Sequence, residues 1–359
     1  MSFFGELGRS MSETPISHHK PEDDSDSSEK RLPQAVSAQQ QKDMEAAYAN
    51  MRRKMAMQKM AEEIKHKIMV LSGKGGVGKS TVATGLALSL ASRGHSVGIL
   101  DIDITGPNIP KMLGIDNSRL DIDQGRINPT LGPSGIKVIS MAFLLEDEDT
   151  PVVWRGPIKL GAIQQFIGDV NWGKLDFMII DFPPGTSDEP LTVTQSLSDI
   201  DGMVIVTTPQ DVALLDSRKS ITFGKSLKVK ILGVVENMSG YTIQGRALDD
   251  SGNPAPNTVV EFSAPGGKKL TSTTDADGNW SQTLDIFKVG GGEETASELE
   301  VPYLGKLPFD PGIVRGCDDG VHRIVSEPDG ISAMAFSKLV DNLLIQLEKS
   351  DSESGIKII

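Results

Sequence analysis

Between Lys67 and Ser89 the chain reads KIMVLSGKGGVGKSTVATGLALS, and few folds accept that order of residues. Ile68-Met69-Val70-Leu71 is a short apolar run of the kind that forms a buried strand. Gly73 to Ser80 then spells G-x-x-x-x-G-K-S, the phosphate-loop pattern. From Thr81 to Ser92, Val82, Leu86, Leu88 and Leu90 recur at helical spacing. Strand, glycine loop and helix in succession are the setting in which that pattern holds a triphosphate. Backbone N–H groups must converge on a densely charged polyphosphate, and side chains would block them, so Gly73, Gly75, Gly76 and Gly78 keep the loop bare. The helix starting near Gly78 turns the positive end of its dipole toward the same anion. Lys79 is placed to reach the β- and γ-phosphates, and the Ser80 hydroxyl to ligate Mg²⁺. The candidate ATP site is therefore Gly73, Lys74, Gly75, Gly76, Val77, Gly78, Lys79, Ser80 and Thr81.

The rest of the chain bounds how such a site is used. A length of 359 residues suffices for one large domain with appendages. A formal net charge of −13 argues against nonspecific binding to nucleic acid or to anionic membranes as the main activity. A single cysteine, Cys317, rules out an intrachain disulfide and fits a reducing compartment. No apolar run reaches the ~18 residues of a membrane span. The first residues, MSFFGELGRS, lack the long apolar core of a signal peptide. A soluble, cytoplasmic protein is the expectation.

Residues 1–37 are polar, with the acidic stretch PEDDSDSSE at 21–29, and read as a disordered tail. Spacing predicts a helix over 38–66. Met44, Tyr48, Met51 and Met55 mark one face, and Met57, Met60, Ala61 and Ile64 a second stripe. Such a helix either packs on its own domain or offers adaptable methionines to a partner. Ser96 to Ile102 reads as a second buried strand, running into Asp101-Ile102-Asp103 and a turn, Thr105 to Asn108. Phe177 to Ile180 reads as another and delivers Asp181, a Walker B-like carboxylate for Mg²⁺, ahead of the turn Pro183-Pro184-Gly185. Carboxylates at the C-terminal ends of strands in an open parallel sheet face the ligand crevice, so Asp101, Asp103 and Asp181 join the site. Gly185 is placed to bring a backbone N–H toward the γ-phosphate. Further strands are expected at 136–140, 203–208, 231–236 and 304–307, and helices at 213–223 and 331–348, with a polar tail over 349–359.

Lys74 is a second lysine in the loop that the phosphate pattern does not require. With it, GKGGVGKS resembles the deviant-loop subclass that includes the nitrogenase iron protein, the Min and Par positioning ATPases and the Mrp iron–sulfur carriers. In that subclass this lysine crosses a dimer interface to the partner's nucleotide, so the resemblance implies a homodimer with ATP at the interface. WRGP at 154–157, QQF at 164–166, WGKLD at 172–176 and DFPPGTSD at 181–188 are similar to the Mrp family of iron–sulfur cluster carrier ATPases. The resemblance covers 67–240 and resumes over 285–348 with DIF at 285–287, GGGEE at 290–294 and VPYLGKLPFDP at 301–311. It implies that Asp101 supports Mg²⁺ through water and that Asp103 orients or deprotonates the attacking water. It further implies that Asn237 hydrogen-bonds the adenine, which Pro308 and Phe309 flank, and that clients are apo iron–sulfur proteins.

Between the two blocks the family carries a Cys-x-x-Cys pair that binds a cluster across the dimer. This chain instead has TIQGRALDDSGNPAPNTVVEFSAPGGKKLTSTTDADGNWSQTL over 242–284, without a cysteine. Turn clusters at 249–257, 264–267 and 275–279 separate strand-like runs such as Thr258 to Ser263 and Trp280 to Leu284. The segment resembles small Ig-like or carboxypeptidase-regulatory-like β modules. Asp275 to Asn279 hints at calcium but has no closing glutamate at the EF-hand spacing, and a plain turn is favoured. A cluster needs several thiolates, and a dimer would supply only its two copies of Cys317.

The expected fold is a doubly wound, mostly parallel α/β sheet of the P-loop NTPase type, with an inserted β-rich module at 241–284 and an N-terminal helical extension. The expected function is slow MgATP hydrolysis by a homodimer of the cluster carrier or assembly type, in which Lys74, Lys79 and Asp103 act directly. The alternative is an ATP-switched positioning or scaffold ATPase that docks a protein partner.

Overall fold

The computed structural model describes residues 37–123, 125–144, 156–186, 188–197, 199–263, 267 and 269–354. The expected tail up to residue 36, the acidic loop at 146–149, Trp154, Arg155, residues 264–266 and the last five residues lie outside the described residues. The chain divides into two units, one ending at Tyr48 and the other starting at Ala49. In the first, the described residues are helical from Ala38, and Met44 and Tyr48 are exposed. The second holds the sheet.

Before the inserted segment come β1 (Ile64–Ser72), β2 (Val97–Asp101), the hairpin β3 (Asp121–Asp123) and β4 (Arg126–Asn128), and β5 (Thr130–Leu131). They are followed by β6 (Lys137–Ser140), β7 (Leu175–Asp181), β8 (Gly202–Thr207) and β9 (Ile231–Glu236). The inserted segment contributes β10 (Tyr241–Arg246), β11 (Val259–Ser263), β12 (Lys269–Thr273) and β13 (Asn279–Leu284), and β14 (Tyr303–Lys306) follows it. Among the described residues, eight strands build one sheet in the order β14-β9-β8-β1-β7-β2-β6-β5. Every neighbouring pair in it is parallel except β5 with β6. After β1 the chain moves outward to β2 and β6. It returns through β7 and continues on the other side of β1 to β8, β9 and β14. That reversal opens a crevice beyond the C-terminal ends of the central strands.

Parallel strands covered on both faces need apolar side chains on both faces, and the sequence supplies continuous runs rather than alternation. Ile68 and Val70 of β1 enter one core, with Val82 and Leu86 of the Lys79–Ser92 helix and Phe336, Leu339 and Leu343 of the Ile331–Ser354 helix. Met69 and Leu71 enter the other, with Ile163 and Phe166 of the Gly156–Gly168 helix, Ile221 of the Asp211–Ser226 helix, and Met60. The two methionine stripes of the N-terminal helix thus part company within the second unit: Met60 and Ala61 are buried, whereas Met51 and Met55 are exposed.

The helix expected over 38–66 is shorter than its pattern suggested. It spans Ala38–Glu63, and Ile64 to His66 already belong to β1, paired with Leu175 to Phe177 of β7. The charged run Lys65-His66-Lys67 hid this strand. It is tolerated because the His66 ring bonds Asp201 at 2.9 Å and the buried Lys67 ammonium donates to the Ile64 carbonyl at 2.9 Å. Burial pushes that lysine below its ordinary pKa, against the nearby Asp201 and Asp199 charges. At the other end the last helix runs to Ser354, six residues past Glu348, where the apolar spacing stops.

The inserted segment is a pair of antiparallel ladders. β10 pairs with β13 from Tyr241 opposite Leu284 to Arg246 opposite Asn279. β11 pairs with β12, and the Ser272 hydroxyl donates to the Ser281 carbonyl at 2.9 Å, tying the two ladders together. Trp280 lies over Gly245 and packs against Phe262 in a tilted arrangement, 5.3 Å between ring centres. In the DADGN turn, Asp275 Oδ1 accepts the N–H groups of Asp277 and Asn279 at 2.9 and 2.8 Å, so that oxygen is spent on the turn itself.

One buried group makes the fold acid-sensitive. His322 is 1% exposed, accepts the Ile324 N–H at Nδ1, and leaves Nε2 without a hydrogen-bond partner among the described residues. Burial pushes its imidazole down to about 4 from 6.5. The unfolded chain therefore takes up a proton between those values while the native state does not, and stability falls as pH falls through that window. The loss amounts to about 3 kcal/mol. His322→Asn keeps a capping acceptor and is expected to flatten the decline of melting temperature between pH 6.5 and 4. Superimposable pH profiles for variant and wild type in scanning calorimetry would contradict the burial argument.

Candidate functional site

The loops leaving β1, β2 and β7 at their C-terminal ends converge on a cavity of about 300 Å³, lined among others by Lys74, Lys79, Ser80, Asp103, Asn108 and Pro184. Lys79 Nζ lies 2.7 Å from Asp181 Oδ1 and 3.5 Å from Asp103 Oδ2. The Ser80 hydroxyl donates to the other Asp181 oxygen at 2.6 Å. Asp101 stands directly opposite Asp181 in the β2–β7 register. It accepts the Ser140 hydroxyl at 2.7 Å and the Asp103 N–H at 3.1 Å. Asp103 is held by its own turn: Oδ1 accepts the N–H and hydroxyl of Thr105 and the N–H of Gly106, leaving Oδ2 toward Lys79.

The electrostatics follow from burial. Asp101 and Asp181 are both fully buried. Desolvation and the neighbouring Asp181 charge push Asp101 well above the usual carboxylate range, against the pull of Ser140 and Lys79. Desolvation raises Asp181 as well, and the Lys79 ammonium and Ser80 hydroxyl draw it back. An adjacent pair of acids resisting ionisation is a place where added positive charge is favoured.

Two glycines show why the loop has its sequence. A Cβ on Gly73 would come within 2.3 Å of the Asp216 backbone, so the Asp211–Ser226 helix can pack here only against a bare residue. Gly78 has φ +80°, and a Cβ there would meet Asn237 Nδ2 at 2.2 Å. That nitrogen donates to the Val77 carbonyl at 2.9 Å, fastening the end of β9 to the phosphate loop. Lys74 lines the cavity and makes no ion pair with a described residue. Gly185 departs from expectation: its N–H is given to the Ser72 carbonyl at 2.8 Å rather than held free for a phosphate, because the loop after β7 folds back on the end of β1.

Beside this cavity lies a more apolar one of about 190 Å³, and Thr81 and Met112 border both. Asn237, Pro308, Phe309, Ile313 and Cys317 line it. Residues as far apart in sequence as Thr81 and Phe336 thus meet here. Of the expected site residues, Lys74, Gly75, Gly76, Gly78, Lys79, Ser80, Thr81, Asp103, Asn237 and Pro308 line these two cavities, Asp181 lies behind Ser80 and Asp101 behind Asp103, Val77 is held by Asn237, and Gly73 packs against Asp216 instead. Sequence reading missed Ser140, which holds Asp101; its place at the end of a predicted strand was the available signal. It missed Met112, for which no local pattern exists. Cys317 is buried, and burial with the adjacent Asp318 pushes its thiol up to about 11.

Comparison with known proteins agrees with this geometry. The family model for NUBPL iron-transfer P-loop NTPases matches residues 63–250 and 274–344 and passes over 251–273. An iron-sulfur cluster carrier protein of Methanocaldococcus jannaschii is 44% identical over 80% of this chain and 86% of its own. A cytosolic Fe-S cluster assembly factor, CFD1 of Kluyveromyces lactis, is 41% identical over 83% of this chain and 97% of its own. Among solved structures, a nucleotide-binding protein of Archaeoglobus fulgidus in complex with ADP superposes with a TM-score of 0.57 at 32% identity, covering 79% of this chain and 96% of its own. The septum site-determining protein MinD of Pyrococcus horikoshii, complexed with Mg-ADP, shares the fold at a TM-score of 0.51 and 23% identity, over 82% of this chain and all of its own. With the matched segments covering most of the sheet and both cavities, the chain belongs to the family of NUBPL iron-transfer P-loop NTPases.

Proposed function

We propose that the chain binds MgATP across the two cavities, hydrolyses it slowly as a homodimer, and serves iron–sulfur cluster assembly in the cytoplasm. The observation that carries this reading is the convergence of Lys79, Ser80, Asp103 and Asp181 on one polar cavity that adjoins an apolar one lined by Asn237 and Pro308. A triphosphate fits the first chemistry and a planar base the second.

The donor set suits a hard divalent cation: Ser80 Oγ, Asp181 and, behind them, Asp101 offer oxygen only. Bound Mg²⁺ would screen the phosphate charge and polarise the γ-phosphoryl group. The protein's own groups do the rest. Phosphate oxygens compete with Asp181 for the Lys79 ammonium and the Ser80 hydroxyl. Loop N–H groups hold the β-phosphate, and Lys74 brings a second positive charge, contributed to the partner subunit's nucleotide. Asp103 has one oxygen committed to Thr105 and Gly106, and the other, 3.5 Å from the Lys79 ammonium, is freed to orient a water for in-line attack once phosphate oxygens draw that ammonium away. Asn237 holds Val77 with its nitrogen and keeps its oxygen for a base amine.

An iron–sulfur cluster does not fit the donor set of this chain. It needs several thiolates, and the sequence has one cysteine, buried and with its thiol held at about 11. We therefore assign this chain the nucleotide-driven part of assembly and leave cluster ligation to a partner or client that supplies thiolates. The replacement of the cysteine segment by hairpins also favours a second reading, an ATP-switched scaffold that docks a protein through the insertion.

Lys79→Ala is expected to lower ATP turnover by at least ~10²-fold in a phosphate-release assay. Near wild-type turnover would refute the loop assignment. Lys74→Ala is expected to remain monomeric with ATP where wild type dimerises, and an unchanged sedimentation profile would remove the in-trans role. Anaerobic reconstitution with iron and sulfide is expected to leave no stoichiometric visible chromophore after desalting. A stable one would show that the ligands were misjudged.

A further inference from the structure

The two ends of the inserted module are anchored on the wall of the apolar cavity. On the entering side, the Ser239 N–H donates to the Leu307 carbonyl and the Phe309 N–H to the Gly240 carbonyl, each at 2.8 Å. Tyr241 then opens β10. On the leaving side, the buried Glu236 carboxylate accepts the N–H groups of Gly290 and Gly292 at 3.0 and 2.5 Å and the Ser239 hydroxyl. Glu236 is the residue before Asn237, so one short stretch of β9 holds the base cavity and both roots of the module.

Phe309 joins the two sides. Its ring makes T-shaped contacts with Tyr241 and Phe287 at 6.3 and 6.1 Å between centres. It lines the apolar cavity with Asn237 and Pro308. It also lines a cleft of about 190 Å³ together with Tyr241, Thr242 and Gln244 of β10. A single half-buried ring therefore stands between the pocket assigned to the base and the stem of the insertion.

We propose that Phe309 couples nucleotide occupancy to the order of the β10–β13 stem. The proposal rests on the nucleotide reading of the apolar cavity. A base packed against Phe309 restricts that ring, and Tyr241 and Phe287 then dock on a surface whose freedom is already lost. Coupling of this kind is reciprocal: stem contacts that favour the restricted ring also favour nucleotide. The outer β11–β12 ladder reaches the stem through Ser272 and Phe262 and has no contact of its own with Phe309 among those described. The insertion thereby becomes an appendage whose base stiffens when nucleotide is bound.

Amide hydrogen exchange of the full chain with and without ADP and Mg²⁺ tests this. Slower exchange is expected at 73–81 and 308–318, where nucleotide binds, and also at 241–246 and 279–287, with little change at 259–273. Tyr241→Ala and Phe287→Ala remove partly exposed rings, so both variants are expected to fold, as checked by thermal melts. They should lose the stem response and bind ADP at least ~5-fold more weakly, while Tyr241→Phe restores both. Protection at 73–81 and 308–318 with unchanged stem exchange, or wild-type ADP affinity in both alanine variants, overturns the coupling and leaves the nucleotide reading standing. Absence of protection at 73–81 overturns the nucleotide reading and the coupling with it.

Discussion

The ammonium of Lys79, clasped by Asp181 and Asp103 beneath the surface, is the contact on which the rest of the architecture turns. Asp101, Asp103, Asp181 and Lys79 are each at most 6% exposed, and burying ions is expensive unless each is paired and hydrogen-bonded. Here three carboxylates face one ammonium, so the set is short of positive charge. Ser140, Ser80 and the Thr105 turn soften the imbalance with hydrogen bonds but do not cancel it. A chain that maximised stability alone would place apolar groups at these strand ends. Retaining acids there keeps a place where a cation and a polyphosphate together are better satisfied than the protein alone.

The doubly wound sheet makes that arrangement possible. Parallel strands bring their C-terminal ends to one edge, and the reversal of strand order at β1 opens space there. Asp101 and Asp181 become neighbours because β2 and β7 are adjacent, although 80 positions separate them. The two hydrophobic cores clamp the sheet from both faces, so the carboxylates have little freedom to move apart.

Family membership and the local chemistry of this chain pull in different directions at one point. The phosphate loop, the carboxylates and the asparagine after β9 gather at the two cavities within the segments that the family model matches. The segment after β9 carries two antiparallel ladders without a cysteine, and the lone thiol, Cys317, is buried on the wall of the apolar cavity. The β10–β13 ladder springs from the wall of the apolar cavity through Gly240, Glu236 and Phe309. Whatever the module contacts is therefore close, in mechanical terms, to the pocket assigned to the base.

Local chemistry was legible from the residues themselves. The phosphate loop announces itself because its glycines and its Lys79-Ser80 pair answer to one ligand chemistry over eight consecutive positions. Buried strands such as β9 were found at their true bounds because nothing but apolar residues precedes the terminal Glu236. The start of β1 was misread as helix because Lys65, His66 and Lys67 look solvated until Asp201 is known to lie beside them. Likewise, the sequence named Asn237 through resemblance but could not show that its amide nitrogen braces Val77, nor that Cys317 lines the same cavity. Short-range patterns encode backbone conformation and ligand type. Which distant residues share a cavity depends on strand order and helix packing, and those emerge only when the whole chain closes over two cores.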